Sequence, residues 1–192
     1  MVITKWLSLA AESCRGLQAD TRISMTMETV TAPHKILCDL QYLKSALIDT
    51  SSILYMQKAG YFDLLSRTIQ LYSIPQVISE IKTPVSGLTI IPHSEPLSQS
   101  TDRVLIACAL KNRLAMISED KGILMAMQRA QAPYFNALMM LNFLLLLHRI
   151  DDDDYQRYYS ALKHIARYSE AVWEFGKHIY TTIQSGKGDK NR

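Results

Sequence analysis

Four acids carry the chemistry that can be read from this chain. Asp49 ends the apolar run Ala46-Leu47-Ile48-Asp49 and is followed at once by three hydroxyl residues, Thr50, Ser51 and Ser52. Glu80, Asp102 and Asp120 fall where later apolar runs give way to helical patterns. Carboxylates gathered in one place repel one another, and one of them tends to protonate unless a cation neutralises the group. Hard divalent ions such as Mg²⁺ or Mn²⁺ accept carboxylate oxygens and keep several waters. An ion held in this way can polarise a phosphoryl oxygen and make a bound water nucleophilic, so the quartet suits phosphodiester hydrolysis. Thr50 and Ser51, in the turn after the first acid, are placed to hydrogen-bond a carboxylate or a phosphate. Arg103 and Lys121 are assigned with them to substrate binding. Lys121 also belongs with Lys111, Arg113 and Arg129 to a basic stretch around two of the acids, a surround that suits a phosphodiester.

Local patterning supplies the elements that would hold these groups. Residues 45–49 form a short apolar run with no polar alternation, as in a parallel strand buried on both faces. The stretches 70–74, 88–92 and 114–118 read as further strands. Helices are expected at 51–58, at 61–69 where Phe62, Leu65 and Ile69 share a face, at 76–82 behind Pro75, at 101–112 with Ser100 as N-cap, and at 121–130. Strands alternating with helices imply a parallel sheet covered on both faces. In such a sheet every strand points its C-terminal end at one rim, where ligands bind. Asp49 closes the first strand, Glu80 sits on the helix after the second, Asp102 in the first turn of the helix after the third, and Asp120 two residues past the fourth. Each acid also has an ordinary explanation: Asp102 complements a helix dipole, Asp120 is a helix N-cap, and Glu80 is a solvated helix residue. Asp49 is the hardest to explain so, because a charge at the end of a buried strand needs a partner.

The rest of the chain bounds the reading. With 192 residues, 48% of them hydrophobic, and a mean hydropathy of −0.02, the chain can form a packed core and is not a disordered polymer. A net charge of +3 excludes a general polycation. Residues 1–43 read as an N-terminal extension, with a short helix near Trp6 and a strand or loop at 22–30. Residues 44–150 read as the α/β domain and 151–192 as a C-terminal helical extension. Three helices are expected in series at 136–149, 155–167 and 169–184, followed by a frayed polar tail at 185–192. The acidic run 151–154 reads as helix capping, since four sequential acids cannot all face one ion. Cys14, Cys38 and Cys108 show no metal-ligand spacing and no disulfide framework, which suggests a reducing compartment. The apolar start of the chain is short for a signal peptide, and the run 137–147 is short for a membrane span. A cytoplasmic protein without a membrane association is therefore expected.

Taken in order, four pieces of the sequence resemble a PIN domain, the metal-dependent nuclease fold of VapC-type toxins and many RNA-processing proteins. They are Leu47-Ile48-Asp49-Thr50-Ser51-Ser52, Ile74-Pro75-Gln76-Val77-Ile78-Ser79-Glu80-Ile81, Thr101-Asp102-Arg103-Val104-Leu105-Ile106-Ala107-Cys108-Ala109 and Met116-Ile117-Ser118-Glu119-Asp120. The resemblance covers roughly residues 45–150. It implies an α/β three-layer sandwich on a five-stranded parallel sheet, with the family's four acids at Asp49, Glu80, Asp102 and Asp120. It also implies Mg²⁺ or Mn²⁺ and cleavage of single-stranded RNA, together with homodimerisation and an antitoxin-like protein partner. The long N-terminal extension and the helical tail depart from the compact toxins. Glu119 lies beside Asp120, and register favours Asp120 as the metal ligand.

Two other readings compete. In the first, the chain is a catalytically inactive PIN-like module whose extra helices bind RNA or protein. In the second, it is a phosphoacceptor or phosphatase-like domain with Asp49 as nucleophile. A haloacid-dehalogenase-type enzyme wants another acid two residues on, and here that position is Ser51.

Overall fold

The structure, a computed structural model, describes residues 33–81, 85–92 and 100–188. The expectations for the first 32 residues, including Cys14, fall outside these, as do those for Lys82, Pro84, the loop at 93–99 and the last four residues. The chain divides into two compact units, residues 1–42 and residues 43–192. In the first unit one helix is described, α1 (Pro33–Gln41), where sequence patterning gave no element.

The second unit is built on five parallel strands: β1 (Ser45–Ile48), β2 (Gln70–Ser73), β3 (Leu88–Ile90), β4 (Ala115–Ile117) and β5 (Tyr134–Phe135). Their order in the sheet is β3-β2-β1-β4-β5. The central strand β1 pairs Ala46 with Leu71 on one side and with Ala115 on the other. Ala46, Leu47, Ile48, Met116 and Ile117 are all buried, which is why these strands read as continuous apolar runs. The edge strand β5 has only two residues and escapes sequence patterning for that reason.

Between the strands run α2 (Thr50–Ala59), α3 (Phe62–Thr68), α4 (Pro75–Glu80), α5 (Thr101–Asn112) and α6 (Lys121–Arg129). Three helices follow the sheet: α7 (Ala137–Leu146), α8 (Asp152–Ile165) and α9 (Glu170–Gly188). Helices α2, α3, α7, α8 and α9 pack together, while α5 lies on β1 and β4 and α6 on β5. The arrangement is compatible with a three-layer sandwich.

Helix α7 is apolar on every side and buried from Ala137 to Leu145, as a helix enclosed by its neighbours must be. Its one amide, Asn142, is fully used. Nδ2 donates to the Leu138 carbonyl at 3.1 Å and to the Gly176 carbonyl of α9 at 3.3 Å, and Oδ1 accepts from the Tyr155 hydroxyl of α8 at 3.2 Å. Gly176 is required by the close crossing of α7 and α9, because a Cβ there would stand 2.3 Å from Leu138 Cδ2.

Two sequence expectations need correction. The tail expected to fray from residue 185 continues α9 as far as Gly188. Buried Ile179 and Ile183 anchor one face of this helix, and extending a formed helix costs little. Ser100 occupies the N-cap of α5, but its hydroxyl makes no capping bond.

Candidate active site

The C-terminal ends of β1, β2 and β4 share a cluster of buried serines. Ser52, Ser73 and Ser118 are fully buried, and each spends its hydroxyl on a neighbouring element. Asp49 sits among them with 5% of its surface exposed. It caps α2, its Oδ1 accepting the Ser52 N–H at 2.8 Å. Its Oδ2 accepts the Ser118 hydroxyl at 2.5 Å and the Ser51 hydroxyl at 3.0 Å. Three donors offset the desolvation of one carboxylate, which answers why a charge can end a buried strand.

The other three predicted acids are exposed. Asp120 caps α6, accepting the Ile123 N–H at 3.0 Å, and its own N–H bonds the Ser118 hydroxyl at 3.0 Å. Ser118 therefore ties Asp49 to Asp120 with one oxygen. Gly122 leaves room for this cap, since a Cβ there would lie 2.9 Å from Asp120 Oδ1. Glu80, the last residue of α4, accepts the Thr50 hydroxyl at 2.5 Å and the Thr101 hydroxyl at 3.1 Å. Thr101 opens α5, and Asp102 is its neighbour. Hydroxyl-to-carboxylate bonds thus link Asp49 to Ser118 and Ser51, and Glu80 to the starts of α2 and α5, while Asp120 joins through its backbone N–H on Ser118.

Asp102 registers the proximity of the others. Although its side chain reaches solvent, loss of water around it raises its pKa above the usual carboxylate value. The negative charges of Asp120, Asp49 and Glu80 raise it further, in that order. Asp102 thus lies within the field of the other three carboxyls. Among the described residues no Lys or Arg forms an ion pair with any of them; Arg103 and Lys121, next in sequence to Asp102 and Asp120, are exposed. Thr50 and Ser51, expected to meet a carboxylate or a phosphate, meet carboxylates.

The donor set is oxygen-rich, which suits a hard divalent ion better than a soft one. The ligand shell is not closed, however. Among the described residues no group of three or more His, Cys, Asp or Glu side chains is arranged so that it could hold a metal ion.

Sequence reasoning anticipated Thr50 and Ser51 but left out the rest of the hydroxyl framework, although Ser118 and Thr101 lie within two residues of predicted acids. It also left the role of Glu119 open. This half-buried side chain accepts the Ser52 hydroxyl at 3.0 Å and the Ala137 N–H at 2.8 Å on Oε1, and the Tyr168 hydroxyl on Oε2. Burial pushes its carboxyl up to about 7, against the pull of these three donors, with the Asp49 charge adding to the rise.

No family model matches the chain, and no curated protein matches it. Among the described residues no helix is long and apolar enough to cross a membrane.

Proposed function

We propose that the protein is a metal-dependent endoribonuclease of PIN-like architecture, cleaving single-stranded RNA at the rim formed by Asp49, Glu80, Asp102 and Asp120. The observation that carries this reading is the convergence at Asp102, whose carboxyl is raised by desolvation and by the charges of three acids from other segments, and which pairs with no Lys or Arg among the described residues. Hydroxyl groups satisfy the lone pairs of such a cluster without cancelling its charge. A divalent cation does cancel it. The parallel sheet, with Asp49 at the C-terminal end of its central strand, supports the same reading.

In this role Asp49, Glu80, Asp102 and Asp120 would hold Mg²⁺ or Mn²⁺, and the ion would supply charge neutralisation and activation of water at the phosphodiester. Asp49 is the fixed member, locked by three donors. Glu80, Asp102 and Asp120 are exposed; Glu80 would trade its two hydroxyl donors, and Asp120 share its capping carboxylate, to meet a cation. Arg103 and Lys121 would meet the RNA backbone from the solvent side. Asp49→Asn is expected to abolish Mg²⁺- or Mn²⁺-dependent cleavage of single-stranded RNA. Undiminished cleavage by a folded Asp49→Asn protein would refute the assignment.

One observation favours a second reading, an inactive PIN-like module that binds RNA or an antitoxin-like protein. Asp49 and Asp120 already serve as helix caps, and no metal-holding group is formed among the described residues. Calorimetry with Mn²⁺ separates the two readings: a folded protein that takes up no ion is the module.

A further inference from the structure

Among the described residues Glu119 is an acid beside the rim that the proposed reaction does not use, and three distant parts of the chain converge on it. Ser52 comes from α2, Ala137 opens α7, and Tyr168 lies in the turn between α8 and α9. Two short routes lead from this carboxylate to the rim. Along one, the Ser52 side chain donates to Glu119 while its backbone N–H holds Asp49 Oδ1. Along the other, Glu119 is bonded covalently to Asp120, whose N–H sits on the same Ser118 hydroxyl that holds Asp49 Oδ2. A shift of Glu119 therefore moves the support of both acids.

Tyr168 is itself fixed from two sides. Its ring meets Tyr55 of α2 edge-on, with centroids 6.3 Å apart, and Trp173 of α9, with centroids 5.1 Å apart. Trp173 in turn packs on Tyr159 of α8 at 5.3 Å. The two C-terminal helices thus reach Glu119 through one phenol, in addition to the direct packing of α8 on α2. Packing alone needs no hydroxyl on Tyr168 and no acid at position 119, since Phe and Leu would fill the same space at lower desolvation cost.

We infer that Glu119 and Tyr168 are positioning residues for the carboxylate site, and that through them the α8–α9 pair sets the placement of Asp49 and Asp120. The inference rests on the reading of the rim as a metal-dependent site. Neither residue touches the substrate. Each acts by holding groups that hold the acids, as outer-shell partners do around bound ions.

The test uses the full chain, Mn²⁺ alone as probe in calorimetry, and RNA cleavage kinetics. Tyr168→Phe removes only the hydroxyl. Ser52→Ala cuts the same relay at its other end without touching the C-terminal helices. Tyr159→Phe serves as comparator within the aromatic cluster. Tyr168→Phe and Ser52→Ala are each expected to weaken Mn²⁺ binding by roughly tenfold or more. The double variant should be no weaker than either single one, because both break one chain of contacts. kcat should fall with KM for RNA unchanged, and Tyr159→Phe should bind Mn²⁺ like the parent. Folded Tyr168→Phe and Ser52→Ala proteins with parental affinity, or losses that simply add, would overturn the inference and leave the nuclease reading standing. If Tyr168→Phe does not fold, Ser52→Ala decides alone. A parent that binds no Mn²⁺ at all ends the nuclease reading, and this inference with it.

Discussion

Two groups of four acids behave in opposite ways in this molecule. Residues 151–154 are four consecutive aspartates at the start of α8. Asp49, Glu80, Asp102 and Asp120 are spread over 72 positions (120 less 49, counted inclusively). The consecutive acids disperse in space, because neighbours on a helix point about 100° apart. Asp151 caps α8 through the Asp154 N–H at 2.8 Å, Asp154 pairs with Arg157 at 2.6 Å, and Asp152 accepts from Gln184 of α9. Each acid of this run finds a use in capping or pairing, or lies in solvent. The dispersed acids converge around Asp102; hydroxyls meet Asp49 and Glu80, and among the described residues no Lys or Arg forms an ion pair with any of the four. Charge density along a sequence is thus a poor guide to charge density in a fold, and the regular return of acids to strand ends is a better one.

The largest expected effect is a pH dependence of stability that arises beside the dispersed group. Glu119, beside the rim, holds its proton up to about 7 in the folded chain, against 4.5 for an unperturbed carboxyl. Between those values the folded state binds a proton that the unfolded state has released, so stability falls as pH rises through this window and levels off above it. The effect is on the order of 3 kcal/mol. Glu119→Gln should flatten the curve, as followed by urea unfolding at pH 4.5, 6 and 8. An unchanged slope in the variant would show that this buried acid is not the source.

A smaller contrast concerns metal. Mn²⁺ at a hundredfold excess over its dissociation constant should stabilise the parent by about 2.7 kcal/mol. Asp102→Asn should reduce that gain sharply, whereas Asp153→Asn should leave it intact; thermal melts with and without Mn²⁺ measure both. Equal losses in the two variants would erase the distinction between the groups. The smallest effect belongs to capping: Asp151→Ala should cost about 1 kcal/mol with RNA cleavage retained.

Much of the frame was legible because each strand of the sheet's centre is a short, unbroken apolar run. Strands β1 and β4 announce themselves by Ala46, Leu47, Ile48, Met116 and Ile117, and the helices by spacing and by Pro75. The two residues of β5 carry too little pattern to register, and α1 follows a stretch with no clear periodicity. The rim acids were found from topology, since parallel strands share one C-terminal edge. Of the groups that hold them, Thr50 and Ser51 were legible from the turn after Asp49, while Ser52, Ser118 and Thr101 were not, because a hydroxyl carries no sequence signal of which distant segment it will meet. Tyr168 and Glu119 are 49 positions apart, and only the return of α8 and α9 across the core brings them together. Ser100 shows the converse: a residue type favoured for capping stood at the right position and made no cap bond, while Thr101 beside it was drawn to Glu80 instead.

Asn142 has a consequence for how the last three helices assemble. A rod as uniformly greasy as α7 offers its neighbours many nearly equivalent seats, and slippage by one turn would bury similar area. The single amide removes that degeneracy, since only one depth lets Tyr155 and the Gly176 carbonyl reach it together. A leucine there would keep the oil but lose the notch. The expected result is a set of interchangeable registers, in which Tyr168 meets Glu119 in only a fraction of the molecules.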